Sequence, residues 1–563
     1  MAIKGISGRI WQVRSVLRSE SKIDLNKIIS LLLKNRGIEG KVDQENFLNP
    51  PHPSKLKAID FDLNEGDIKK AISVMNNKKE EGKKIIIYGD YDADGITGSA
   101  ILWEALYSRG FDVLPYIPDR AKEGYGIRSE SVAKLKKKYT DLGMIITVDN
   151  GITSFDEVGR VKEMGIDVII VDHHKKDRKL PPADVIVHSD KVAGCGVSWF
   201  LSQCLKKEIR AKNSFYDNDG LDLLVIGTIA DQMDLTGINR SLVKHGIRAL
   251  NETKRKGLLE VFKEAGIKRG GIGTYEINYV IAPRINAMGR ISHAMDSLRL
   301  LCTKDQEKAR ELALHLGRIN KERQKMVDEL LVKSKEKAEK ELENKALVIV
   351  GRDYNEGIIG LVAGKLVEEF YRPTVVISKR KGISKASARS VSGFDITEEL
   401  RQWEEIFESL GGHPMAAGFS IETGKIGDFK KKFINYANKT IDKSILEPRL
   451  LIDMKIDFDL IDDKLVEILL AFEPLGMGNP SPLFLAEKVR IVDIKKIGQD
   501  GKHLKFVLSQ SDKIFEAVAF GFGNLELVEI KPNSFLDIVF SVGKNLWNGF
   551  ESIQLNVKDL GIN

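Results

Sequence analysis

The run Lys84-Ile-Ile-Ile-Tyr88 is short, apolar and stopped by Gly89, and helical spacing follows across 99–108, with Ile101, Leu102, Ala105 and Leu106 on one face. The pattern then repeats. Residues 113–117, 144–148 and 168–171 read as further buried strands with helical segments between them. Such alternation leaves few folds open, because parallel strands need crossover helices and both faces of the sheet must be covered. The expectation is α/β, a doubly wound parallel sheet, in which ligands bind beyond the carboxyl ends of the strands. The acidic residues of this segment gather there, after Tyr88, after Val148 and after Val171.

The first cluster is Gly89-Asp-Tyr-Asp-Ala-Asp-Gly95. Three carboxylates at alternate positions repel one another and raise each other's pKa, a conflict that a divalent cation resolves. An EF-hand loop also begins in this way, but it needs a bidentate Glu at its twelfth position, which here is Ile101. The second cluster is Val148-Asp-Asn-Gly151, a sequence that on its own is a common turn. The third is Asp172-His173-His174, and imidazole is a frequent metal ligand when a neighbour fixes its tautomer. The fourth is Asp231, in Gly227-Thr-Ile-Ala-Asp231, after the apolar run 223–226. Taken together, these clusters predict a mixed oxygen and nitrogen metal site at the ends of successive strands. Oxygen alone favours Mg²⁺; added imidazole shifts the preference to Mn²⁺, with Zn²⁺ or Co²⁺ open. The carboxylates suffice for two ions, which would clamp the attacking and leaving oxygens of a phosphoryl transfer. No Gly-Lys-Ser or Gly-Lys-Thr occurs, so a P-loop nucleotidase in its usual form is excluded.

The chain has 563 residues, more than one core accommodates. The expected organisation is an N-terminal segment over 1–50, a first α/β domain over 51–303, a helical connector over 304–344, a smaller α/β domain over 345–445 and a mostly β module over 446–563. The connector is proline-free and charged, with Leu312, Leu316, Ile319, Met326, Leu330 and Leu331 at helical spacing, as one or two long helices. A net charge of +7 from 88 basic and 81 acidic residues is compatible with a polyanion partner but does not require one. Cys195, Cys204 and Cys302 form no disulfide-like framework, and no apolar run reaches the length of a membrane span. A cytoplasmic protein without a membrane partner is expected.

These residues resemble the DHH phosphoesterase superfamily, whose name describes Asp172-His173-His174, and within it the RecJ family of single-strand-specific exonucleases. Tyr88-Gly-Asp-Tyr-Asp-Ala-Asp-Gly-Ile-Thr-Gly98 is similar to that family's first motif, and the other three clusters to its second, third and fourth. Ala282-Pro-Arg-Ile-Asn-Ala-Met-Gly-Arg290 resembles a further block of the family. Ser387-Ala-Arg-Ser390 and Gly411-Gly-His-Pro-Met-Ala-Ala-Gly-Phe419 resemble the associated DHHA1 domain. The last module looks like an OB-fold barrel, with Phe472, Phe484, Lys505, Phe506, Phe520 and Trp547 as candidate surface contributors for stacking on single strands.

The resemblance implies roles residue by residue. Asp90, Asp92 and Asp149 would hold one metal ion, and Asp94, Asp149, His173 and Asp231 the other, with Asp149 bridging. Asp94, Asp149 and His174 would be the catalytic groups, His174 facing the scissile phosphate and Asp172 orienting a histidine. Arg120, in Pro118-Asp-Arg-Ala-Lys-Glu-Gly-Tyr-Gly126, would meet a terminal phosphate together with Ser387 and Arg389. Gly412 and His413 would meet the next phosphate, and Arg284 and Asn286 would contact substrate. The activity implied is 5′-to-3′ hydrolysis of single-stranded DNA in repair and recombination, with two ions, Mn²⁺ preferred or Mg²⁺. A monomer acting beside a single-strand-binding protein and a helicase is the implied setting. Two alternatives stay open: a phosphodiesterase on short oligonucleotides or cyclic dinucleotides, and a catalytically silent DNA-binding scaffold.

Overall fold

The computed structural model describes residues 4–16, 25–211, 219–523, 530–547 and 550–562. Its first α/β domain holds five parallel strands in the order Val113–Tyr116, Lys84–Gly89, Leu142–Val148, Asp167–Asp172, Val185–His188. The chain moves outward from Lys84–Gly89 to one edge and then returns past it. The order therefore reverses between Lys84–Gly89 and Leu142–Val148, the position at which an open α/β sheet leaves a crevice. Asp90 and Asp149 emerge from these two strands. Helices Glu65–Glu80, Ala93–Tyr107, Gly194–Glu208 and Leu221–Ala230 cover one face of the sheet, and Ser129–Lys138 and Phe155–Glu163 the other.

Two elements differ from the pattern read in the sequence. Helical spacing was read from Ser99, whereas the helix begins at Ala93, inside the acidic motif. Asp92 is its N-cap: the carboxylate accepts hydrogen bonds from the backbone N–H of Asp94 at 2.9 Å and of Gly95 at 3.1 Å. Asp231 was expected after a strand, but it follows helix Leu221–Ala230. That helix is apolar all round because it is buried between Ala93–Tyr107 and Gly237–Asn251, and periodicity cannot tell such a segment from a buried strand.

The connector is one helix, Gln306–Glu339, capped by Asp305. Ala313, Leu316 and Ile319 pack on the first domain, while Val327, Leu330 and Ala338 join the core of the second. The second α/β domain has a five-stranded mixed sheet ordered Phe407–His413, Ala416–Glu422, Ile383–Arg389, Thr374–Lys379, Leu347–Arg352.

In the C-terminal module, Phe484–Ile497, His503–Gln510, Lys513–Ala519, Phe550–Gly561 and Phe535–Trp547 pair in that order, and the last pairs back to the first, closing a barrel. Arg449–Lys455 extends the sheet, and Ile10–Val16 adds to it in parallel, Ile10 opposite Arg449. Helices Leu25–Lys34 and Lys41–Leu48 sink Ile28, Leu32, Leu33 and Phe47 into the module's core. The segment read as a separate 1–50 piece is thus built into the C-terminal module.

Candidate metal centre and phosphate pocket

Strand ends and helix ends converge on one acidic crevice. Asp90 is 5% and Asp149 2% exposed, and neither Oδ1 has a hydrogen-bond partner. Asp149 stands at φ 62°, a left-handed conformation that short polar side chains tolerate, and its N–H donates to Val171 O at 2.9 Å. Asn150 Nδ2 braces the turn by donating to Tyr88 O at 3.1 Å and Val148 O at 2.9 Å. Asp94 is gripped by the start of helix Gly194–Glu208, where the N–H groups of Gly194 and Cys195 donate to its two oxygens at 2.7 and 2.9 Å. His173 Nε2 lies 3.2 Å from Asp149 Oδ1 and 3.7 Å from both Asp94 and Asp231. It too lacks a hydrogen bond.

Three ligand sets come close enough to share an ion: Asp90, Asp92 and Asp149; Asp94, His173 and Asp231; and Asp149, His173 and His174. Buried oxygens and a buried imidazole nitrogen without partners, aimed at one volume, fit divalent cations. Burial, and after it the neighbouring carboxylates, push Asp90, Asp92, Asp149 and Asp231 above the ordinary carboxylate range. Burial pushes His173 down, which keeps its imidazole neutral as a ligand requires. Burial acts in the same direction on His174, but a 2.7 Å hydrogen bond from Nδ1 to Asp172 outweighs it and moves His174 up to about 9. Burial alone would raise Asp172. His174, with N–H donation from Ile152, instead holds it below its usual value.

These shifts predict a metal-dependent stability profile. A carboxyl raised in the folded state keeps a proton that the unfolded chain has released, so its stabilising contribution is present at low pH and lost as pH rises. Metal-stripped protein should therefore lose Tm as pH rises from mildly acidic to mildly alkaline. Added Mn²⁺ should restore it, most at the alkaline end, by about 2.7 kcal/mol when the ion stands at a hundred times its Kd. Calorimetry in buffers of different ionisation enthalpy should show protons released on binding. A flat or rising Tm in chelator would defeat the account.

Beside this centre, a cavity of about 710 Å³ opens between the two α/β domains, lined by Arg120, Arg290, Ser387 and Arg389 among others. The Arg120 guanidinium stands over the Tyr91 ring, 5.0 Å from its centroid, and Arg389 donates to Ser387 Oγ at 3.1 Å. Burial, and then Arg120, lower the pKa of both Arg290, to about 10, and Arg389. Four arginines line this cavity; Arg380 pairs with Asp353, and the guanidiniums of Arg120, Arg290 and Arg389 make a site for a multiply charged anion. On the other side of the centre, a cleft of about 750 Å³ is lined by His173, His174, Lys175, Asp231 and His413. The His174 and His413 rings are 6.2 Å apart. Gly412, at φ +152°, passes so close to its partner strand that a Cβ would lie 2.2 Å from Ala416 O.

Two residues expected to contact substrate, Arg284 and Asn286, make supporting contacts within the domain. Arg284 Nε donates to Glu264 at 2.7 Å and Nη1 to Val280 O at 2.8 Å. Asn286 Oδ1 accepts from Ala93 N–H at 2.7 Å and steadies the acidic turn. Arg290 and Tyr125 carried no assigned role in the sequence, although both stand inside quoted motifs. Tyr125 Oη lies 3.3 Å from His174 Nε2. Of the barrel aromatics, Phe472, Phe484 and Phe506 are core, and Phe520 is 59% exposed. Lys505 pairs with Glu516, and the Trp547 side chain lies outside the described ones.

Comparison with known proteins agrees with this geometry. Residues 84–228 match the DHH family N-terminal domain, 343–439 the DHHA1 domain and 452–559 the RecJ OB domain. The chain is 34% identical over 554 residues to the single-stranded-DNA-specific exonuclease RecJ of Bacillus subtilis, covering 96% of this chain and 69% of that protein. It is 33% identical over 500 residues to RecJ of Thermus thermophilus, covering 88% and 71%. The crystal structure of Thermus thermophilus RecJ in complex with Mn²⁺ superimposes with a TM-score of 0.80 at 29% identity, covering 98% of this chain and 79% of that one.

Proposed function

Because the chain belongs to the RecJ family of single-stranded-DNA-specific exonucleases, we propose that it removes nucleotides from single-stranded DNA in the 5′-to-3′ direction. It is a metal-dependent hydrolase of phosphodiester bonds, served by Mn²⁺ or Mg²⁺. The observation that carries the reading is the acidic centre standing beside a cavity lined by Arg120, Arg290 and Arg389.

When bound, two divalent ions supply a water activated near neutral pH and positive charge at the scissile phosphate. Asp90, Asp92 and Asp149 would hold one, and Asp94, His173 and Asp231 the other. His174, kept protonated by Asp172, donates to the phosphate oxygen on which charge develops. Arg120, Arg290 and Arg389, with Ser387, hold the terminal 5′ phosphate, and His413 meets the next one. In this reading the strand lies in the cavity between the α/β domains, and on the barrel exposed Phe520 offers a stacking face. The same reading makes the protein a monomer working in the cytoplasm with a single-strand-binding protein and a helicase.

Single-stranded DNA labelled at either end, with a 5′ phosphate or a 5′ hydroxyl, tests the proposal. Label should leave first from the 5′ end, and duplex should resist. Arg389→Ala should lower kcat/KM on the phosphorylated strand by about tenfold to a hundredfold, the worth of a charge-assisted hydrogen bond. The 5′-hydroxyl strand should respond far less. Release from the 3′ end first, or cleavage confined to dinucleotides, would overturn the reading.

A further inference from the structure

Asp231 lacks the backbone anchoring that Asp92 and Asp94 receive. Asp92 and Asp94 accept hydrogen bonds from backbone N–H groups, but among the described residues none reaches the Asp231 carboxylate, which is 28% exposed. The turn that carries it, between helices Leu221–Ala230 and Gly237–Asn251, is instead pressed from outside the domain. Leu235 N–H donates to Met477 O at 2.8 Å, in a loop of the C-terminal module. At Gly478, φ +69°, an added Cβ would lie 2.9 Å from Asp234 Cβ, and at Gly476 one would lie 2.7 Å from Leu235 Cδ1.

That loop is gripped by a single side chain of the catalytic domain. Arg240 is wholly buried, and its guanidinium donates to the carbonyl oxygens of Ala471, Phe472, Glu473 and Pro474 at 3.0, 3.0, 2.9 and 3.3 Å. Its Nε donates to Phe47 O. Among the described residues no carboxylate pairs with it. The oxygens it meets are those left over where helix Asp463–Ala471 ends, so a cation suits the place. Asn479 fastens the loop from within, donating to Phe472 O at 2.7 Å and Pro474 O at 2.8 Å. A buried cation spent wholly on carbonyls adds little net stability over an apolar packing, whereas it fixes the path of the loop.

We propose that Arg240 is a positioning residue for the metal centre: it clamps the 471–479 loop against the 231–235 turn, and the docked C-terminal module thereby sets Asp231. Occupancy of the ion held by Asp94, His173 and Asp231 then depends on a module that supplies none of its ligands. The inference rests on Asp231 being a metal ligand.

The test is Mn²⁺ binding to the full chain, followed by the electron paramagnetic resonance of free Mn²⁺, in wild type, Arg240→Met, Arg240→Lys, Gly478→Ala and Asp231→Ala. Arg240→Met and Gly478→Ala should weaken one of the two Mn²⁺ sites by about tenfold, as loss of a supporting contact does, and leave the other unchanged. The weakened site should be the one missing in Asp231→Ala, and Arg240→Lys should recover part of it. If Arg240→Met fails to fold, Gly478→Ala and Arg240→Lys decide, since Gly478→Ala leaves every guanidinium contact in place. Wild-type Mn²⁺ binding in the folded variants overturns the clamp. Wild type binding fewer than two ions overturns the metal reading itself, a separate result.

Discussion

Asp149→Asn will lower hydrolysis of single-stranded DNA by on the order of 10⁴-fold, the scale seen when one member of a catalytic unit is removed, and will leave the fold in place. Asparagine accepts the left-handed backbone at φ 62° as readily as aspartate does, so the turn should survive. What changes is the oxygen next to His173 Nε2, 3.2 Å away, which becomes neutral and a weak ligand to either ion. Folded protein without metal should gain stability, by about 1 kcal/mol, because one of several mutually repelling carboxylates is gone. The gain should grow as pH rises, since wild-type Asp149 keeps its proton at low pH and repels its neighbours only once it is lost. Single-turnover rates and Tm in chelator measure both halves. Activity within tenfold of wild type would remove Asp149 from the centre.

The largest effect on stability is expected at Arg255, where Arg255→Met should cost about 3–5 kcal/mol. Its side chain is fully buried, with Nε donating to Asp222 at 2.9 Å and the terminal nitrogens to Glu104, one of them at 2.7 Å. Thr253 Oγ1 donates to the same Asp222 oxygen at 2.7 Å. Burial already pushes Glu104 upward against the pull of Arg255, so removing the guanidinium takes away the cation that both buried carboxylates share. The raised group takes a proton at lower pH, so the loss should shrink on acidification. Adding Glu104→Gln and Asp222→Asn to Arg255→Met should recover much of it. Urea unfolding of the catalytic domain reads these changes, and a single variant as stable as wild type would refute the assignment. Glu104 and Asp222 stand on the helices that carry Asp94 and Asp231, so the triad also keeps these two ligands in register.

Much of the centre was legible in the sequence because its acids follow strands whose apolar runs are short and sharply stopped. Asp90, Asp149 and Asp172 sit where a doubly wound sheet leaves its crevice, and that follows from order alone. Asp231 was found for its motif but placed on the wrong element, since Leu221–Ala230 has no polar face to betray a helix. Arg284 and Arg290 look alike in one motif, six residues apart. Only packing shows that Glu264 occupies the first and leaves the second facing the cavity. The barrel aromatics were undecidable for the same reason: alternation marks a strand but not which of its faces is covered. Arg240 carried no signal, because its partners are backbone carbonyls, which every residue possesses.

The pairing of Ile10–Val16 with Arg449–Lys455 has a consequence for how the protein is made. Ile10–Val16 is made long before its partner, more than four hundred positions later, and closing so long a loop is slow. Until then Ile28, Leu32 and Leu33, which end wholly buried, have nothing to pack against, and an unpaired strand lies open beside them. Completion of this sheet therefore waits for the synthesis of residues 449–455.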